Sequence, residues 1–199
     1  MIKAIIFDAD GVLIHREKYF SERLEDDYGI PREKSLEFFN GEFAECLIGK
    51  KDLKKVLPKY LKIWGWNKSL EELFDYWFTK EGKRDEELID YINRLRKTGI
   101  KIFIGTNNEK HRADYLGEHM GLSKFTDKIY ASGNVGFAKP DYRFFEHIIK
   151  EQKLNKDEVL FWDDDEENVG SAREFGIHAE IYKSFSDFLN SMKKYKLLD

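Results

Sequence analysis

The residues best suited to chemistry fall in four short blocks, each at or just beyond the end of an apolar run. They are Asp8 and Asp10 with Gly11, Thr106 with Asn107, Lys139, and the adjacent acids Asp163 and Asp164. Carboxylates that converge on one point repel each other unless a cation sits between them. A donor set of oxygens, without His or Cys, favours a hard ion such as Mg2+. A hydroxyl, backbone N–H groups and a lysine around that ion make a receptor for the oxygens of a phosphoryl group. Asp10, two residues past Asp8, leaves one carboxylate free to move a proton.

Such convergence requires a scaffold. The run 2–7 is short, rich in Ile and halted by Asp8, which is the pattern of a buried strand ending in a polar loop. Runs at 100–106, 128–131 and 159–162 resemble it, and the last stops at Asp163, Asp164 and Asp165. Between them, Leu88, Ile89, Ile92 and Leu95 recur at helical spacing, with Gly99 as the stop. A second helix is expected to start at Pro140, burying Phe144, Phe145, Ile148 and Ile149, and a third to span 166–175. This alternation predicts an α/β fold, a Rossmann-like parallel sheet core flanked by helices. In such sheets ligands bind beyond the carboxyl ends of the strands, where all four blocks fall.

The stretch 15–82 breaks the rhythm. It carries helical patterns over 53–63 and 70–78, the second announced by Ser69 and Glu72 at capping-box spacing. It is expected to be an inserted α-helical domain at 15–82, with the α/β core formed by 1–14 and 83–199. Gly41, Gly49 and the cluster Trp64, Gly65 and Trp66 are placed at its turns.

Composition narrows the partners. Among 199 residues, Lys and Arg total 34 against 38 Asp and Glu, a net charge of -4 with no basic tract to follow a nucleic-acid backbone. The apolar run Ala4, Ile5, Ile6 and Phe7 is too short for a signal peptide or membrane span. With a single cysteine, Cys46, the expectation is a soluble cytoplasmic protein binding neither nucleic acid nor membrane. The five histidines lack metal-site spacing, and the oligomeric state is left open.

Taken together, the blocks Asp8-Ala9-Asp10-Gly11-Val12, Thr106-Asn107, Lys139-Pro140 and Asp163-Asp164 with Asn168 resemble, in order, the four motifs of the haloacid dehalogenase superfamily. The position of the insert is similar to that of the helical C1-type cap in the branch containing β-phosphoglucomutase and many small-molecule phosphatases. Within that branch, Gly136 to Asp141 and Asp163 to Val169 look most like the bacterial glucose-1-phosphate phosphatases. The resemblance implies a phosphatase with Mg2+ as cofactor and a small phosphorylated metabolite, a sugar phosphate, as substrate. It makes Asp8 the nucleophile and Asp10 the acid and base. Thr106 and the Asn107 N–H would bind phosphate, and Lys139 would neutralise charge. Asp8, the Asp10 carbonyl and Asp164 would hold the metal, with Asp163 as a further ligand directly or through water.

Singly, each block has a plainer reading: a turn at Asp10 and Gly11, a helix cap at Thr106, a surface lysine at 139, a solvated acidic run at 163–167. Their common location is what joins them. A calcium loop is excluded, since Gly11 stands fourth rather than sixth from the first acid. Rival readings are a phosphosugar mutase with the same core chemistry and a catalytically silent ligand-binding member of the fold. A dehalogenase fits less well, because a departing halide needs no proton from Asp10.

Overall fold

The computed structural model describes residues 1–80 and 82–197. The chain begins with β1 (Ala4–Phe7) and a two-residue strand β2 (Ile14–His15), then enters helices α1 (Phe20–Tyr28), α2 (Arg32–Phe39), α3 (Phe43–Leu47), α4 (Leu53–Trp64) and α5 (Leu70–Thr79). It returns through β3 (Lys83–Arg84), which pairs antiparallel with β2, and continues as α6 (Glu86–Lys97), β4 (Lys101–Thr106), α7 (Lys110–Glu118), β5 (Lys128–Ala131) and α8 (Ser132–Val135). The last elements are α9 (Tyr142–Gln152), β6 (Val159–Asp163), α10 (Glu166–Phe175), β7 (His178–Ile181) and α11 (Phe185–Met192).

Among the described residues the main sheet has five strands in the order β5-β4-β1-β6-β7, all parallel. β1 lies in the middle, Ala4 standing opposite both Lys101 and Val159, so its end is flanked by the ends of β4 and β6. Period-two alternation splits the strand residues between two apolar layers. Ile5, Phe7, Ile104 and Trp162 pack under α6 and α11, while Ala4, Ile6, Phe103 and Phe161 pack against α9 and α10. Both faces are covered, as a parallel sheet requires.

The buried members of a third apolar cluster lie in α1–α5 and the loops between them, Phe20, Leu24, Phe38, Leu57, Trp64, Leu73 and Trp77 among others, with Tyr115 of α7 packed against it. Phe20 stacks on Trp77 with centroids 4.4 Å apart. The Ser69 and Glu72 capping box is formed, and Gly65 ends α4 in the left-handed conformation. No helix among the described residues is long and apolar enough to cross a membrane.

Three expectations are corrected. The helix expected at Pro140 starts at Tyr142, because the Asp141 carboxylate accepts the Arg143 N–H and takes the cap position; Pro140 precedes it, joined to Lys139 by a cis peptide. The strand expected to stop at Trp162 runs on to Asp163, whose carbonyl accepts from Tyr182 N–H. The strand β7 was not expected at all, since His178 and Glu180 break any apolar run at this sheet edge.

Helix α11 seals the layer beneath the ends of β1 and β6. Phe188 is fully buried there, against the rings of Phe7, Tyr91 and Trp162. Phe188→Ala is expected to lower unfolding stability by about 3–5 kcal/mol through the cavity it leaves. Urea denaturation followed by Trp fluorescence measures it, and a loss under about 0.5 kcal/mol, the ordinary surface range, contradicts the packing described.

Candidate active site

The sheet order converts four distant blocks into neighbours. Asp8 follows β1 directly, its N–H bonded to the Trp162 carbonyl of β6, and Thr106 ends β4 on the other side. Lys139 enters from the loop before α9 and is buried, its Nζ donating to Asp8 Oδ1 at 2.9 Å and Asp163 Oδ2 at 2.6 Å. Asp8, Asp163 and Asp164 each offer an oxygen within 4.8 Å of the others. One ammonium thus faces two buried carboxylates, with a third acid alongside.

That imbalance shows in the electrostatics. Burial raises the Asp8 carboxyl to about 7, Lys139 opposes the rise, and Asp163 and Asp10 add to it. Burial and the Asp163 charge also raise Asp164. Burial works against the charge on Lys139, but Asp8 and Asp163 outweigh it and hold the ammonium above the usual lysine range. A group of carboxylates in this condition has the donor chemistry of a hard divalent cation site.

The three consecutive acids have different tasks. Asp163 Oδ1 accepts the Asp165 N–H and Oδ2 accepts from Lys139 and Asn168 Nδ2, so both oxygens already have donors. Asp165 caps α10 through the Glu167 and Asn168 N–H groups. Asp164 reaches back over Gly11, where φ is +100° and a Cβ would overlap its carboxyl group. Glycine at 11 therefore serves both the backbone conformation and the space this carboxylate occupies.

Asn107 uses its side chain on the Lys139 backbone, donating from Nδ2 to the carbonyl at 2.7 Å and accepting the N–H on Oδ1 at 2.8 Å. Three residues absent from the sequence expectations join the site. Asn108 Nδ2 bridges Asp10 Oδ2 and Thr106 Oγ1, both at 2.7 Å. Glu109, buried, caps α7 through the His111 and Arg112 N–H groups, and burial raises its carboxyl. Arg112, also buried, faces Asp10 Oδ1 at 3.6 Å. A polar Asn-Asn-Glu run at a strand-to-helix junction was the available signal for the first two; nothing local marked Arg112.

These residues floor a cavity of about 530 Å3 roofed by α1, α2, α3 and α5, with Phe20, Phe39, Phe43 and Trp77 on its upper wall and Arg16 and Arg32 lining it as well. Glu42 and Lys50, near the turns of the insert, do not line it.

With this geometry, the match of residues 2–176 to the haloacid dehalogenase-like hydrolase family places the chain in that family. The chain is 26% identical over 184 residues, 88% of its length, to a D-ribitol-5-phosphate phosphatase of Bacteroides thetaiotaomicron, covering 89% of that protein. Its fold is similar to that of a HAD-like family hydrolase from Porphyromonas gingivalis, with TM-score 0.83, 25% identity and 98% of each chain covered. It is also similar to that of a B. thetaiotaomicron HAD family enzyme solved with magnesium and inorganic phosphate, with TM-score 0.81 and 19% identity over 94% of this chain and 99% of that one.

The Asn107 clamp generates a direct test. Asn107→Ala strips both hydrogen bonds from the Lys139 backbone, and the expected loss of stability is about 1–3 kcal/mol. Urea denaturation reads it, and a variant as stable as the parent rules the clamp out.

Proposed function

We propose that this hydrolase is a Mg2+-dependent phosphatase that releases phosphate from a small phosphomonoester, a sugar phosphate, through a phosphorylated Asp8. The observation that carries the reading is the meeting of Asp8, Asp163 and Asp164 beside Lys139 and Thr106 at the floor of one cavity.

Asp8, Asp164 and the Asp10 carbonyl would hold Mg2+, with Asp163 beside them. Asp163 then acts mainly on Lys139 and the following loop, since both its oxygens have donors. When bound, the ion neutralises the crowded carboxylates and the phosphoryl oxygens. The Thr106 hydroxyl and the Asn107 N–H bind phosphoryl oxygens, and Lys139 favours the ionised form of Asp8 against the effect of burial. An Asp8 oxygen attacks phosphorus, the bond to the leaving oxygen breaks, and Asp10 gives that oxygen its proton. Asp10 then takes a proton from water; the water oxygen attacks phosphorus, and the Asp8–phosphorus bond breaks to release inorganic phosphate.

Residues 15–82 form the cap of this reading and 1–14 with 83–199 the core; position 81 and positions 198 and 199 lie outside the described residues. An apolar cluster whose buried members all lie within it supports treating the cap as a unit that opens and closes. Its aromatic wall suits the apolar C–H face of a sugar ring, and Arg16 and Arg32 suit an anionic substrate. The ribitol-phosphate activity of one relative points the same way, and the motif likeness makes hexose phosphates the first compounds to try.

A metabolite screen with free-phosphate detection tests the proposal. Small sugar phosphates should be hydrolysed with Mg2+, chelator should stop turnover, and added Mg2+ should restore it. Asp8→Asn should abolish turnover with the circular dichroism spectrum retained, and Gly11→Ala should weaken Mg2+ binding by displacing Asp164, so that more Mg2+ is needed for half-maximal activity. Phosphate release from none of the phosphomonoesters, or an Asp8→Asn protein as fast as the parent, would refute it.

A further inference from the structure

Arg112 occupies a place that the reaction scheme above leaves unused. It projects from α7, and its buried guanidinium lies beside the rings of Phe78 and Tyr115, with centroids 5.6 and 5.4 Å away. One nitrogen, Nη1, donates to the Phe78 carbonyl at 3.1 Å, in the last turn of α5, where carbonyls lie beyond the helical ladder. The other, Nη2, lies 3.6 Å from Asp10 Oδ1. Both of these atoms are buried, and neither has a hydrogen-bond partner. The second oxygen of Asp10 is already held by Asn108.

A guanidinium is a rigid plane, so displacement at one nitrogen is passed to the others. A buried donor and acceptor that face each other without a bond are costly, and closing the gap replaces that cost with a charge-assisted hydrogen bond. The partner on the Nη1 side belongs to the helical insert; the partner on the Nη2 side belongs to the core site. We propose that Arg112 is a positioning residue that transmits the seating of the insert to the Asp10 carboxyl group, aiming it for proton transfer when the insert is closed. The inference rests on the assignment of Asp10 as proton donor.

Leaving-group dependence separates this role from general support. Asp10 matters most when the departing oxygen needs a proton, so benzyl phosphate reports on its aim and p-nitrophenyl phosphate, with a stable departing anion, does not. In the Mg2+-loaded enzyme, Arg112→Met should lower kcat/KM for benzyl phosphate by about tenfold to a hundredfold, the lower part of what a positioned general acid contributes. The value for p-nitrophenyl phosphate should change by no more than about twofold, an allowance for secondary effects of the kind non-interacting changes show. Arg112→Lys keeps a cation without the planar fork and should recover only part of the benzyl phosphate rate; it also carries the test should the Met variant fail to fold by circular dichroism. In an Asp10→Asn background, either substitution should cost nothing further on benzyl phosphate. Equal losses on both substrates, losses that persist in the Asp10→Asn background, or no loss at all would overturn the inference while leaving the phosphatase reading intact. A parent enzyme that releases phosphate from none of the phosphomonoesters, these esters and the small sugar phosphates alike, would overturn both.

Discussion

The Lys139 ammonium, buried between Asp8 and Asp163, is the contact on which the rest of the site depends. A buried cation is costly unless its charge and its protons are met, and a buried carboxylate likewise. Here each answers the other, but one ammonium cannot balance two carboxylates, and Asp164 adds a third. The arrangement is incomplete in charge and complete in geometry, the condition of a site built to receive a cation and an anion together. Asn107 fixes the Lys139 backbone, the Asp165 N–H and Asn168 fix Asp163, and Asn108 ties Asp10 to Thr106.

The sheet order makes this contact reachable. With β1 between β4 and β6, Asp8 stands between Thr106 and Asp163 without a bend in any strand. The insert adds a roof rather than a reacting group. Besides the contacts of Phe78 with Arg112 and Tyr115, it meets the core where Asp52, the cap residue of α4, faces Lys110 and His111, and where Gly49 lies so close to the Gly133 carbonyl that a Cβ there would overlap it. Lys110 and His111 hold the Asp52 carboxyl below the ordinary range, so this tie is ionic over the neutral range and is lost when acid protonates Asp52.

What the sequence revealed and what it hid divide along a physical line. Three of the four blocks were legible because each is a local event, an apolar run meeting a polar residue at a strand end, whereas Lys139, in the loop before α9, was legible only in company with the others. The five helices in 15–82 were legible in part, since 53–63 and 70–78 carry strong periodicity while the short helix Phe43–Leu47 does not. The edge strand β7 was hidden by its polar residues, which an edge tolerates and a central strand does not. Pro140 misled because Pro opens many helices, yet Asp141 supplied a better cap one residue later. Asn108 showed only as part of a polar run, its partner Asp10 lying 98 residues away, and Arg112 was invisible, since its partner Phe78 lies 34 residues away and no spacing rule spans such distances.

The central place of β1 also constrains how the molecule acquires its shape. The strand that ends at Phe7 is made before both of its neighbours in the sheet, which begin at Lys101 and Val159. Pairing of such remote segments is slow, because the entropy of closing long loops is met before any contact rewards it. Residues 20–78 face no such delay, since their apolar partners lie within the same stretch. The roof can therefore organise on the nascent chain while β1, apolar and unpaired, waits for β4 to be made, which leaves that short strand open to chaperone binding and to misassociation during synthesis.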